Sequence, residues 1–229
     1  MIQNPLFVAL DLDDAHVAIE MARELKSLVG GFKVGPRLLI KHGEHLVQTL
    51  AKMSPVFVDN KYFDIPNTME SAVRATFEAG ATFCTVHAQA GAEALSRLAV
   101  LEEKLNQQRP FKILCVTVLT SFSENTLPPT TMKIPIEEQV MSLAKLTVES
   151  GLSGLVCSPF EVNALKQTFP KSFLVTPGVR WGDFASDDQK RVKTPKEALS
   201  EGASALVIGR PIIHATDPKA VIKDIIESL

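Results

Sequence analysis

Short apolar runs alternate with longer amphipathic stretches along the whole chain, and this alternation constrains the fold more than any other feature. The apolar runs fall at 6–10, 32–34, 56–58, 82–86, 112–119, 154–157, 173–176 and 205–208. Helical patterns follow at 15–28, 36–51, 68–78, 91–106, 136–149, 160–168, 195–201 and 218–228. In the first of these, Val17, Ile19, Met21, Ala22, Leu25 and Leu28 recur at roughly the spacing of one buried helix face. The apolar runs are continuous rather than alternating, as in parallel strands covered on both sides. Eight strand–helix units in 229 residues predict a single α/β domain over residues 1–229. The architecture they suggest is a (β/α)8 TIM barrel, a little under the usual ~250 residues. An open doubly wound sheet would satisfy the same alternation.

The polar residues favour the barrel. Asp11, Lys33, Asp59 with Lys61, His87, Thr120 with Ser121, and Gly209-Arg210 each fall at or just past the end of an apolar run. A barrel gathers those ends around one mouth, whereas an open sheet spreads them along a line. Two long connections, 120–135 and 177–194, have the length typical of binding loops or lids.

Composition removes several classes of function. A net charge of -2 gives no electrostatic case for nucleic acid or an anionic membrane surface. One Trp and one Tyr cannot build an aromatic platform for bases. No apolar run approaches the ~20 residues of a membrane-spanning helix. The N-terminus has no basic segment leading into an apolar one, so a cytoplasmic protein is expected. Cys84, Cys115 and Cys157 are odd in number, far apart and set in apolar runs, which suits reduced core thiols. There is no Walker loop, zinc-spaced Cys pair, dinucleotide glycine fingerprint or nucleophile elbow. Carboxylates such as Asp59 and Asp64 could hold magnesium, but Lys61 between them already supplies the cation that a metal would otherwise provide.

Two constellations could carry chemistry. The run Val56-Phe57-Val58 ends in Asp59, Lys61 and Asp64, just before Pro66-Asn67. Residues two apart on a strand share a face, so Asp59 and Lys61 point the same way, and a loop could fold Asp64 back over them. Charges at the end of an apolar strand are costly unless they pair or react. The bland alternative is a salt-bridged strand end. The second constellation is Gly209-Arg210-Pro211 after the last strand, beside Thr176-Pro177-Gly178-Val179-Arg180 after the seventh. Together they offer backbone donors and two guanidinium groups where barrels commonly bind phosphate. The alternative there is an arginine paired with a carboxylate at the rim. His42-x-x-His45 reads as a solvated helix face, and His87 as either a mouth residue or a hydrogen-bonded structural one. His16 and His214 have no partner that the sequence identifies.

The order and spacing of these pieces resemble the orotidine 5'-phosphate decarboxylase family over almost the whole chain. The matching segments are Val8-Ala9-Leu10-Asp11, Phe32-Lys33-Val34-Gly35, Asp59-x-Lys61-x-x-Asp64-Ile65-Pro66-Asn67-Thr68, Thr85-Val86-His87-Ala88 and Val118-Leu119-Thr120-Ser121. They continue with Thr176-Pro177-Gly178-Val179-Arg180, Asp188-Gln189-Lys190-Arg191-Val192 and Val207-Ile208-Gly209-Arg210-Pro211. The resemblance implies a cofactor-free homodimeric barrel that converts orotidine monophosphate to uridine monophosphate and carbon dioxide. It implies Lys61 as the proton donor, Asp59 facing the departing carboxylate, and Lys33 completing a charge array and, with Asp11, holding the ribose. Asp64 and Thr68 would reach across the dimer interface, with Ile65 in the substrate-binding set. Thr120 and Ser121 would address the pyrimidine, Gln189 would link pyrimidine to phosphate, and Arg180, Gly209 and Arg210 would meet the phosphate.

Phe63, Gln89-Ala90, Phe122 and Trp181 depart from the common family pattern, at positions that carry no catalytic charge. The nearest enzyme rival is a sugar-phosphate decarboxylase of the same superfamily, such as 3-keto-gulonate phosphate decarboxylase. Lys33, Thr120-Ser121 and Gln189 argue for the pyrimidine substrate. A non-catalytic phosphate-binding barrel is the rival of another class, and it would have no use for the charge array.

Overall fold

A computed structural model describes residues 4–131, 133–179, 181 and 193–229. The strands are β1 (Leu6–Ala9), β2 (Gly31–Val34), β3 (Val56–Tyr62), β4 (Phe83–His87), β5 (Lys112–Val116), β6 (Gly154–Val156), β7 (Phe173–Thr176) and β8 (Ala205–Ile208). All pair in parallel with their sequence neighbours, and β8 returns to β1, Phe7 lying opposite Val207. The sheet is therefore a closed barrel, and the open-sheet alternative is excluded. The helices are α1 (Ala15–Leu25), α2 (Pro36–Ala51), α3 (Pro66–Glu78), α4 (Gly91–Asn106), α5 (Ile136–Glu149), α6 (Val162–Thr168), α7 (Pro195–Ser200), α8 (Arg210–Ile213) and α9 (Pro218–Glu227).

Local chemistry starts most of these helices where the sequence suggests, although α3 begins at Pro66 rather than Thr68 and α6 at Val162 rather than Phe160. The Asp14 carboxylate accepts from the backbone N–H groups of His16 and Val17 and caps α1. Thr194 and Glu197 form a reciprocal capping box at α7. Proline occupies the first turn of α2, α3, α7 and α9, where its missing N–H is no loss. No helix among the described residues is long and apolar enough to cross a membrane.

The core has two layers. The outer one lies between strands and helices and holds residues such as Leu6, Phe32, Leu38 and Leu98, all fully buried. Burying a side chain of this size stabilises the fold by about 1.5–3 kcal/mol. The inner layer fills the barrel lumen with Phe7, Phe57, Phe83, Leu114 and Val175. Phe83 meets Phe7 edge-to-face at 5.6 Å and stacks on Phe173 at 5.7 Å. These rings fill the lumen beneath the mouth where the strands end.

Some boundaries differ from expectation for identifiable reasons. The fifth strand stops at Val116 rather than continuing to residue 119. Its neighbour β6 ends at Val156, and both the N–H and the hydroxyl of Thr117 turn onto that last carbonyl. Helix α2 is interrupted at Gly43, whose φ of 57° is a left-handed value that glycine adopts at little cost. The eighth strand is followed by a short helix, α8, before α9, because Gly209 breaks the extended backbone and Pro211 sits in the next turn.

The third strand runs beyond Val58 to Tyr62, but its ladder with β4 is irregular. Val58 pairs with Cys84 and Tyr62 with Val86, so β3 advances four residues while β4 advances two. The surplus residues bulge, and Lys61 takes a φ of 50°, which is strained for a side chain of this kind.

Candidate active site

The strand ends surround a cavity of about 630 Å³. Its floor is apolar, formed by Ala9, Phe57, Val156, Val175 and Val207. Its polar lining includes Asp11, Lys33, Asp59, Lys61, Thr120, Ser121, Gly209 and Arg210, each from the end of a strand or the loop beyond it. The residues singled out in the sequence at these positions therefore converge on one chamber.

Four of them alternate in charge. The Lys33 ammonium lies 3.1 Å from Asp11 and 3.4 Å from Asp59, and the Lys61 ammonium lies 2.9 Å from the other Asp59 oxygen. The middle of this chain is desolvated, with the Lys33 and Asp59 side chains 11% and 13% exposed. Its ends are open, with Lys61 36% and Asp11 51% exposed. The ion most available to a ligand at one end is thus an ammonium that is already oriented by a carboxylate.

Burial and pairing oppose each other within the chain, and pairing prevails. Burial pushes the Asp59 carboxyl up, but the Lys33 and Lys61 ammoniums and hydrogen bonds from Lys61 and Thr85 hold it below the ordinary 3.8. Burial pushes Lys33 down, but Asp59 and Asp11 hold it above the ordinary 10.5. The stabilisation from Asp59 is complete above the unfolded value near 3.8 and is lost as the pH falls through the lowered folded value. That from Lys33 is complete below 10.5 and is lost as the pH rises through the raised folded value. Between these limits both ions stay charged.

The chain's own Asp64 does not fold back over Asp59 and Lys61. It is exposed, accepts a hydrogen bond from the Ile65 N–H at 2.7 Å, and does not line the cavity. Ile65 and Thr68 are likewise exposed and outside it. Phe63 and Ile65 stand 61% and 66% exposed on either side of Asp64. Arg180 and Gln189 lie outside the described residues.

His87 ends β4 but does not line the cavity, and its ring lies 5.6 Å from that of Phe63. Burial and the nearby Lys61 charge lower its pKa below the ordinary 6.5. His42 and His45 are exposed on α2, and no metal-binding group of His, Cys, Asp or Glu occurs among the described residues. All three cysteines are buried, and burial pushes the Cys115 thiol up to about 12, which removes it as a nucleophile.

Sequence reasoning missed Arg37. It lines the cavity, donates to the Asp11 carbonyl at 2.9 Å and pairs with Asp13 at 3.1 Å. The available signal was its place in the first turn of the helix that follows Lys33. His214, which the sequence left without a role, also lines the cavity.

Comparison with known proteins agrees with this geometry. Residues 4–225 match the model of the orotidine 5'-phosphate decarboxylase / HUMPS family. A curated orotidine 5'-phosphate decarboxylase of Trichlorobacter lovleyi is 41% identical over 99% of this chain and 95% of its own. One of Pseudomonas fluorescens is 40% identical, over 99% and 97%. The crystal structure of orotidine 5'-phosphate decarboxylase from Lactobacillus acidophilus superposes with a TM-score of 0.81 at 35% identity, covering 98% of both chains. With a closed barrel, an alternating ion chain at its mouth and these relatives, the chain belongs to the orotidine 5'-phosphate decarboxylase / HUMPS family.

Proposed function

We propose that this protein converts orotidine 5'-monophosphate to uridine 5'-monophosphate and carbon dioxide, a step of pyrimidine biosynthesis. The enzyme class, a carboxy-lyase, follows from the family and the named relatives. The observation that carries the reading is the Asp11–Lys33–Asp59–Lys61 chain, with the Lys61 ammonium at its open end in the cavity.

Losing carbon dioxide from carbon six of the pyrimidine leaves an electron pair in the plane of the ring, where the ring cannot spread it. The protein must stabilise that charge directly. Lys61 sits beside the carbon, offsets the developing anion and then delivers a proton to it. General acid catalysis supplies roughly 10²- to 10⁴-fold, whereas enzymes as a class lower barriers by ~8–23 kcal/mol. The balance comes from the preorganised ions and from binding energy at the remote phosphate. Asp59 faces the departing carboxylate and orients Lys61. Lys33 and Asp11 hold the ribose, and Thr120 and Ser121 meet the base edge. Gly209 and Arg210 receive the phosphate together with Arg180, and Gln189 links pyrimidine to phosphate.

In this reading the site is completed by a second copy of the chain, which supplies Asp64, Ile65 and Thr68. The exposed Phe63 and Ile65 beside Asp64 support it, because large apolar side chains in that position favour a partner surface. A mixture of Lys61→Ala and Asp64→Ala proteins tests the sharing. Each is expected to be inactive alone, while random exchange restores about 25% of wild-type activity, since half the dimers then hold one intact site of two. No recovery on mixing would place Asp64 outside a shared site.

Arg210→Ala is expected to weaken uridine monophosphate by roughly 10- to 100-fold, the size of a lost charge-assisted contact, and to leave uridine binding nearly unchanged. Calorimetry with both ligands checks it, and an equal loss for both would remove Arg210 from the phosphate end. The function itself is tested by following the ultraviolet spectrum of orotidine monophosphate with purified, metal-free protein. The expected result is conversion to the uridine monophosphate spectrum with release of carbon dioxide, and an unchanged spectrum would refute the reading.

A further inference from the structure

Thr85 lies in the middle of β4 and is fully buried. Its hydroxyl joins two atoms of the ion chain. It donates to Asp59 Oδ1 at 2.9 Å and accepts from the backbone N–H of Lys61 at 2.8 Å. The directions are fixed by chemistry, because an amide N–H only donates and an ionised carboxylate only accepts. The same Asp59 oxygen receives the Lys61 ammonium at 2.9 Å. Backbone, hydroxyl, carboxylate and ammonium therefore close a ring that starts and ends on Lys61.

This ring sits where the regular ladder fails. Between the pairs Val58–Cys84 and Tyr62–Val86 the β3 backbone bulges, and Lys61 adopts its left-handed φ of 50°. The Lys61 N–H is then satisfied by a side chain of the neighbouring strand in place of a backbone carbonyl. A conformation this unusual for lysine persists only where its surroundings over-determine it. Among the described residues, the other charged or titratable groups near Asp59 and Lys61 are Lys33 from β2, Asp11 through Lys33, and His87 at the end of β4. None of them touches the Lys61 backbone in the described hydrogen bonds.

We propose that Thr85 is a positioning residue for the proton donor, its hydroxyl holding the Lys61 backbone in the bulge and the Asp59 carboxylate against the Lys61 ammonium. The inference rests on the reading of Lys61 as the donor to pyrimidine carbon six. Valine matches threonine in shape but supports neither bond, whereas serine keeps both.

The test compares Thr85→Val and Thr85→Ser for kcat and KM on orotidine monophosphate, for uridine monophosphate affinity and for thermal unfolding, with Lys61→Ala alongside. Thr85→Val is expected to lower kcat by ~100-fold, the order reached when a catalytic group is displaced by about an ångström. KM and uridine monophosphate affinity should stay within about three-fold, because the binding groups remain in place. Thr85→Ser should restore kcat to within about three-fold of wild type, since it retains both hydrogen bonds. Near-normal kcat in Thr85→Val, equal losses of kcat and uridine monophosphate affinity, or a Thr85→Ser as slow as Thr85→Val would each overturn the proposal. If Thr85→Val does not fold, Thr85→Ala, which deletes the hydroxyl and leaves no methyl against Asp59, carries the same kcat-against-KM test. An active Lys61→Ala would instead overturn the role of Lys61 itself, so the two failures are distinguishable.

Discussion

Lys61→Ala is expected to abolish turnover of orotidine monophosphate, with kcat/KM down by at least ~10⁴-fold, while the protein stays folded and still binds uridine monophosphate. The size follows from losing two contributions at once. General acid catalysis is worth roughly 10²- to 10⁴-fold, and one electrostatic contact aimed at a developing charge about 10²- to 10³-fold. The fold should survive because the Lys61 side chain is 36% exposed, so truncating it leaves no large core cavity. Asp59 retains Lys33 at 3.4 Å and the Thr85 hydroxyl at 2.9 Å, so the carboxylate is not orphaned. Steady-state kinetics and titration with uridine monophosphate check both halves. Activity close to wild type would show that another group protonates the ring carbon.

Asp59→Asn is expected to damage both catalysis and stability, which sets it apart from Lys61→Ala. It removes the one carboxylate that both ammoniums share. Without it Lys61 loses its orientation, and displacement of a catalytic group costs on the order of 10²-fold or more in kcat. Among the described residues, the buried Lys33 then keeps only the more exposed Asp11. Breaking a buried ion pair by removing one partner costs about 3–5 kcal/mol, or roughly 6–20 °C in melting temperature for a chain of this size.

The pH dependence of that loss has a definite sign. In the wild type, Asp59 is held below 3.8, so its contribution is intact at neutral pH and fades as the pH drops through the folded value. The gap between wild type and Asp59→Asn should therefore close in acid. In the variant, burial acts on Lys33 with less opposition and pushes its pKa down, so the gap should also narrow as the pH rises and Lys33 sheds its proton. Thermal melts across the pH range check this, and a gap independent of pH would mean that the pair contributes little to folding.

The barrel was legible because parallel strands covered on both faces must be continuously apolar, and their helices must carry a single apolar stripe. The convergence of Asp11, Lys33, Asp59, Lys61, Thr120, Ser121, Gly209 and Arg210 followed from one rule, that a closed barrel brings its strand ends together. The failures lie where tertiary contacts override local preference. Asp59 and Lys61 do share the cavity, but not through simple alternation. The strand bulges and Lys61 turns left-handed, a conformation that sequence usually signals with glycine and that here depends on Thr85 from another strand. Arg37 looked like an ordinary residue of a helix's first turn, because its partners, the Asp11 carbonyl and Asp13, belong to a different loop. The end of β5 could not be placed from its own apolar run through residue 119, because the length of β6 decides where pairing stops. The position of Asp64 outside its own cavity depends on how the chain leaves β3, which the spacing Asp-x-Lys-x-x-Asp does not encode.

The most direct measurement is a crystal structure of the protein with uridine monophosphate bound. The charge-chain account predicts pyrimidine carbon six facing the Lys61 ammonium at ~3–3.5 Å, the ribose over Lys33 and Asp11, and the phosphate at Gly209 and Arg210. A nucleotide bound with its phosphate at Lys61, or with its base away from the Asp59–Lys61 pair, would contradict it.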